Sequence, residues 1–260
     1  MDTGLRGRRA LVTAASRGLG FATARALAAE GCRVVISSSD EKRIQAAAQT
    51  LRDEGQDVVA RAADVSQADQ CRDLVEWATT TLGGLDVLVN NTRGPTFGTV
   101  ADLDDRAWTD AFNLVLMSAV RMTRASLPAL RRARGAIVNL TSIAAHQPVD
   151  YLVLSNALRP AVVAMGKTLA KEAAPEVRVN SILTGRFETD RIVEENRHQA
   201  TTLGVDVEEV RARSIRTIPL GRYGRPEELA AAVVFLAGDG ASFITGTTLA
   251  VDGGEYGGLF

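Results

Sequence analysis

The run Thr13-Ala14-Ala15-Ser16-Arg17-Gly18-Leu19-Gly20 has the residue types that hold a pyrophosphate. It follows a short apolar run, Ala10-Leu11-Val12, and opens a helical pattern. Small residues at such a turn let backbone amides approach a diphosphate. The helix start behind it adds unpaired N–H groups and the positive end of a dipole. A glycine-rich turn in this strand–helix setting marks a dinucleotide site. Thr13, Ala14, Ser16, Arg17, Gly18 and Leu19 are its expected contacts, and Ala14 brings a methyl group to the tightest part of the turn.

A second apolar run, Arg33-Val34-Val35-Ile36, ends in Ser37-Ser38-Ser39, and the first acid is Asp40. A carboxylate at this strand end would bind the 2′-hydroxyl of NAD and repel the 2′-phosphate of NADP. Three hydroxyls and nearby Arg17 supply donors and room for a phosphate instead. The reading is therefore NADP (NADPH), held through Ser38 and Ser39. NAD is the alternative if Asp40 folds back into the pocket.

Groups able to move a proton are sparse. His146, Asp150 and Tyr151 lie together ahead of a helical stretch, and His146 has a suitable ordinary pKa. Arg159, one turn beyond Ser155, stays protonated and can act only electrostatically. Arg93 is a candidate for binding an anionic substrate group, with a surface salt bridge as the plain alternative.

The elements that must position these residues are legible as alternating patterns. Residues 10–12, 33–36, 57–60, 86–89, 136–140, 178–182 and 248–251 read as strands, several apolar on both faces. Helical stretches such as 22–30 and 41–54 lie between them. This alternation predicts an α/β fold, a doubly wound parallel sheet of Rossmann type. Residues 1–260 form one domain with helices on both faces, and the charged region 187–225 is expected to be a substrate lid. Pro160 should kink the helix that contains it. Trp77 reads as helix–sheet packing.

At 260 residues and a net charge of −1, nothing calls for nucleic acid or a charged membrane surface as a partner. Cys32 and Cys71 lack ligand-like spacing and read as reduced thiols, with no metal site expected. Residues 1–9 lack the apolar core of a signal peptide, and no apolar run reaches membrane-spanning length. A cytoplasmic protein is expected.

Taken with motifs downstream, these residues resemble the short-chain dehydrogenase/reductase family, especially its 3-oxoacyl-[acyl-carrier-protein] reductase-like members. Thr13 to Gly20 resembles the family's TGxxxGxG turn, with Ala14 substituted. Asp64-Val65 resembles the adenine-contacting pair after the third strand. Asn90-Asn91-Thr92-Arg93-Gly94 is similar to its NNAG motif, with Thr92 replacing alanine and Arg93 inserted. The segment Asn180 to Thr189 follows the stretch that covers the nicotinamide, with Thr184 where proline is usual. Pro219-Leu220-Gly221-Arg222, Pro226-Glu227-Glu228 and Val251-Asp252-Gly253-Gly254 match the C-terminal pattern.

The resemblance implies cofactor contacts at Asp64, Val65, Asn91, Thr92, Thr184, Gly185, Phe187 and Thr189. It implies that Ser142 holds a substrate carbonyl and that Asn113 organises a proton-relay water. The family's Tyr-x-x-x-Lys pair is broken: Leu152 stands in the tyrosine place and Asn156 in the lysine place. Asn156 can hydrogen-bond the ribose but supplies no charge. Tyr151, one residue early, is the candidate proton donor if it lies in the loop before the helix. The expected activity is NADP(H)-dependent reduction of a ketone, or oxidation of the matching alcohol, on a small-molecule or acyl-carrier-bound substrate. The alternatives are a catalytically silent NADP-binding subunit and a non-redox isomerase, cyclase or dehydratase. A homo-tetramer or dimer follows from the family, and the apolar ending 255–260 is a candidate contact between subunits.

Overall fold

The computed structural model describes residues 2–259. Phe260, the last residue of the apolar ending, and Met1 lie outside the described residues. Seven parallel strands form one sheet: β1 (Arg9–Val12), β2 (Arg33–Ser38), β3 (Val58–Ala62), β4 (Val87–Asn90), β5 (Ala136–Leu140), β6 (Arg178–Thr184) and β7 (Thr248–Val251), in the order β3-β2-β1-β4-β5-β6-β7. Each expected strand is present, with ends shifted by no more than two residues.

The strands are apolar on both faces because both are covered. Ala10 and Val12 of β1 pack on one core with Val34, Ile36, Val87 and Val89, while Leu11, Val35 and Leu88 point into the other. Helices α1 (Gly18–Ala29), α2 (Glu41–Asp53) and α9 (Pro226–Ala237) close the first face. Helices α3 (Ala68–Leu82), α5 (Ser118–Ala133) and α6 (Val153–Glu172) close the second. Trp77 of α3 packs at the edge of the second core, with Arg61 stacked 5.3 Å from its ring.

Strand order reverses between β1 and β4, and a crevice opens there beyond the carboxyl ends of the strands. Two features around it were not readable as periodicity. Helix α4 (Asp105–Ala111) continues into α5 through a π-helical segment, Phe112–Met117, where Ser118 N–H reaches back five residues to Asn113 O. Such segments re-phase the two halves of a helix. The charged region after β6 folds as α7 (Asp190–Leu203) and α8 (Val207–Arg216), returning through a bridge between Phe187 and Gly224. Pro160 lies inside α6, which runs unbroken through it. No helix among the described residues is long and apolar enough to cross a membrane.

Candidate functional site

A cleft of about 440 Å³ runs along the strand ends from the β1–α1 turn to α7, a size that suits a cofactor and a small ligand. Its phosphate end is built by the turn after β1. Thr13 Oγ1 donates to Asn91 O (2.7 Å) and accepts from Asn91 N (2.9 Å), which ties the ends of β1 and β4 together. Asn91 Nδ2 donates to Ala14 O (3.2 Å). Ala14 sits at φ +48°, a left-handed conformation that its side chain disfavours. Gly20 is required by contact: a Cβ there would lie 2.4 Å from Ala14 O and 2.7 Å from Asn91 Nδ2. Arg17 caps α1 without a side-chain hydrogen bond, so the first amides of the helix are not capped by it. Backbone approach without side-chain obstruction and an uncapped helix start fit a pyrophosphate.

The cleft end beside β2 is lined by Ser38, Ser39, Asp40 and Arg43. The Asp40 carboxylate is already engaged. It caps α2 by accepting from Arg43 N (3.0 Å), and its second oxygen pairs with the Arg43 guanidinium (3.3 Å). This leaves hydroxyls and a guanidinium, rather than a free carboxylate, at the ribose position. Arg17 spans to α7, pairing with Asp190 (2.7 Å) and Glu194 (3.5 Å).

Most residues assigned to the cofactor from sequence do line the cleft: Ala14 and Ser16 to Leu19 at the turn, Asp64 and Val65 after β3, Asn91 and Thr92 after β4, and Thr184, Gly185, Phe187 and Thr189 after β6. Thr13 and Asn156 do not. Thr13 is 1% exposed and acts through Asn91. Asn156 turns away from the cleft and clasps the preceding loop, accepting from Val149 N (3.0 Å) and donating to Val149 O (2.9 Å). Its amide is spent on that clasp and not on a ribose.

Of the residues assigned to chemistry, Ser142 alone lines the cleft. Its hydroxyl accepts from Ala144 N (3.1 Å), which leaves its own proton to donate. Asn113 lies in the π-helical segment with its side chain directed elsewhere. Its Oδ1 accepts from Arg121 (2.9 Å), and its Nδ2 donates to Thr109 O (3.1 Å). Tyr151 does precede the helix, at φ +60°, but its ring packs edge-on against His198 of α7, 6.2 Å between centroids. His198 also stacks on Phe97 at 5.0 Å, and Gly98 N–H donates to Tyr151 O. Tyr151 therefore belongs to a clasp joining two loops to α7.

The pair that does face the cleft from α6 is Ser155 and Arg159. Spaced i, i+4, they share a helix face, with Leu152 at its start. Both are buried. The Ser155 hydroxyl makes no hydrogen bond to the described residues. Arg159 Nη1 donates to Leu140 O (3.0 Å), Nε has no partner, and no carboxylate lies within ion-pair distance. Burial pushes the guanidinium down to about 10, with Arg191 adding repulsion, so it remains a cation at neutral pH. The one-turn spacing of Ser155 and Arg159 is visible in the sequence; that this pair, and not Leu152 with Asn156, faces the cleft is not.

These features define a dinucleotide-binding α/β protein whose cleft carries the Ser142 and Ser155 hydroxyls beside a buried guanidinium. A family model described as enoyl-(acyl carrier protein) reductase matches residues 13–255. The chain belongs to the short-chain dehydrogenase/reductase family. It is 35% identical over 248 residues to dehydrogenase/reductase SDR family member 4 of Homo sapiens, covering 94% of this chain and 86% of that protein. Its fold superposes with a TM-score of 0.94 on L-sorbose reductase from Gluconobacter frateurii, solved with NADPH and L-sorbose, at 32% identity and with both chains fully covered. An actinorhodin polyketide ketoreductase solved with NADPH gives a TM-score of 0.92 at 34% identity, covering 95% of this chain and 97% of that one.

Proposed function

We propose that the protein is an NADP(H)-dependent ketoreductase whose substrate wall is Ser142, Ser155 and Arg159. The observation that carries this reading is that the three line the same cleft as the phosphate turn. The engaged Asp40, with the Ser38 and Ser39 hydroxyls beside it, supports NADP(H) over NAD(H), as do the two NADPH-bound structural relatives. Ser16 to Leu19 would hold the pyrophosphate, and Ser38, Ser39 and Arg43 the 2′-phosphate. When bound, NADPH supplies hydride to a carbonyl carbon.

The protein's own part is positional and electrostatic. Ser142 Oγ–H donates to the carbonyl oxygen. The buried Arg159 charge favours negative charge developing on that oxygen. Ser155 Oγ passes the proton that completes the alcohol, recovering it from water in the cleft. Tyr151, held in the lid clasp, is replaced in this role. The lid itself is the segment 187–225, whose helix α7 lines the cleft.

The test is calorimetric titration with NADPH and NADH, followed by NADPH oxidation against a panel of ketones. Tighter NADPH binding is expected, with turnover lost in Ser142→Ala and Ser155→Ala and kept in Tyr151→Phe. NADPH binding with no turnover across the panel would favour a silent cofactor-binding subunit.

A further inference from the structure

Beyond the reacting centre, the cleft holds an arrangement of charge that reduction of a neutral ketone does not require. Arg93, Arg159 and Arg191 all line it, and none has a carboxylate within ion-pair distance among the described residues. The carboxylates nearby are committed elsewhere. Glu195 is held by Arg186 at 2.9 Å, Glu194 and Asp190 by Arg17, and Asp40 by Arg43. Arg186 is doubly paired, since Glu255 holds it from the other side at 2.9 Å.

Arg191 is placed against its own stability. It lies in the first turn of α7, where the helix dipole disfavours a cation. It is half-buried, and burial together with Arg93 lowers its pKa against the opposing pull of Glu195 and Glu194. What fixes it is neutral: Nη2 donates to Pro95 O (3.0 Å), and the guanidinium lies 3.9 Å from the centre of the Phe97 ring. That stacking holds the guanidinium plane and leaves its remaining N–H groups unassigned. Arg93 sits on the loop that Arg191 packs over. Behind them Arg159, buried and with Nε unpartnered, faces the same space. Three like charges converging on one cleft, none of them in an ion pair among the described residues, is a costly arrangement for a folded chain, and an anionic ligand relieves it.

We propose that the substrate carries an anionic group, a carboxylate or phosphate, seated between Arg191 and Arg93 while its carbonyl meets Ser142; this rests on the ketoreductase reading above. Arg191 gives the fixed, planar contact and Arg93 a more exposed second charge. The substrate class is then an oxo acid or an oxo phosphate ester, in place of a neutral ketone.

The experiment compares matched probes on the NADP-bound protein: acetoacetate against methyl acetoacetate, and dihydroxyacetone phosphate against dihydroxyacetone. Binding is read by calorimetry with NADP+ and also without cofactor. Turnover is read with NADPH. At least one anionic member is expected to bind about 10- to 100-fold more tightly than its neutral partner, the value of one charge-assisted contact. The pair that shows the preference separates carboxylate from phosphate. Arg191→Gln combined with Arg93→Gln should erase the difference within the pair, and Arg191→Lys should keep part of it. The neutral probe and the melting temperature report whether each variant is folded. Equal binding within both pairs, or no binding of any probe to a protein that binds NADPH, overturns the anion site. Failure to bind NADPH while the anion preference persists overturns the ketoreductase reading and leaves the anion site standing.

Discussion

Replacing Arg159 with methionine should make the protein more stable and less active. Burial holds the guanidinium at about 10, well below its ordinary value. At about 1.4 kcal/mol per pH unit, the charged form carries roughly 3 kcal/mol of instability. One charge-assisted hydrogen bond, to Leu140 O, offsets about 1.5 kcal/mol of that. Methionine keeps the methylene packing and removes the charge. The net gain is about 1–2 kcal/mol, which for a chain of this size raises Tm by roughly 2–8 °C. The sign with pH is also determined. A cation with a depressed pKa carries its full penalty below the folded value and is relieved as pH climbs above about 10 towards the ordinary guanidinium value. The Tm advantage of Arg159→Met should therefore be complete at pH 7 and shrink above pH 10. Scanning fluorimetry at both pH values reads the stability, and NADPH oxidation reads the loss of turnover. A variant that melts below the parent at pH 7 would refute the reasoning, because it would make Arg159 a structural cation.

Four further outcomes follow from the same geometry. Gly20→Ala should abolish NADPH binding while the sheet persists by circular dichroism, since its Cβ meets Ala14 O at 2.4 Å; retained affinity would show that the turn yields. Asn156→Ala should lower stability by about 1–3 kcal/mol through loss of both Val149 hydrogen bonds, yet leave NADPH affinity within twofold, and a large affinity loss would restore Asn156 to the ribose. Burial pushes the thiols of Cys32 and Cys71 up to about 12 and about 11, so iodoacetamide at pH 8 should label the denatured chain and spare the native one. Asp190→Asn with Glu194→Gln should speed hydrogen exchange in α7 without changing exchange in β1 or β4, because these carboxylates tie the lid to Arg17.

The sheet was readable because apolar runs that alternate between two buried faces leave little else for the chain to do. The phosphate turn was readable because small residues at a strand–helix joint have few other uses. The substrate wall was not, and the reasons are local. Helix α6 begins at Val153, and the clasp from Asn156 to Val149 rotates that amide out of the cleft, so Ser155 and Arg159 take the inward face. Asn113 sits where α-helical spacing gives way to π, and the extra residue in the turn moves its side chain onto Arg121. Tyr151 was a candidate only if it lay in the loop; it does lie there, but its partner His198 lies 47 positions later in a segment whose fold has no apolar signature. Asp206 caps α8 within that segment by accepting from Glu208 N.

The bridge from Arg17 to Asp190 and Glu194 joins two tasks in one side chain. Arg17 belongs to the phosphate turn, yet in this structure its charge is committed to the lid. Any ligand that recruits the guanidinium releases α7, and by thermodynamic reciprocity whatever frees α7 strengthens that ligand by the same factor. Cofactor and substrate would then report on each other through one exposed guanidinium and its two carboxylates, and salt concentration becomes a handle on the order in which they bind.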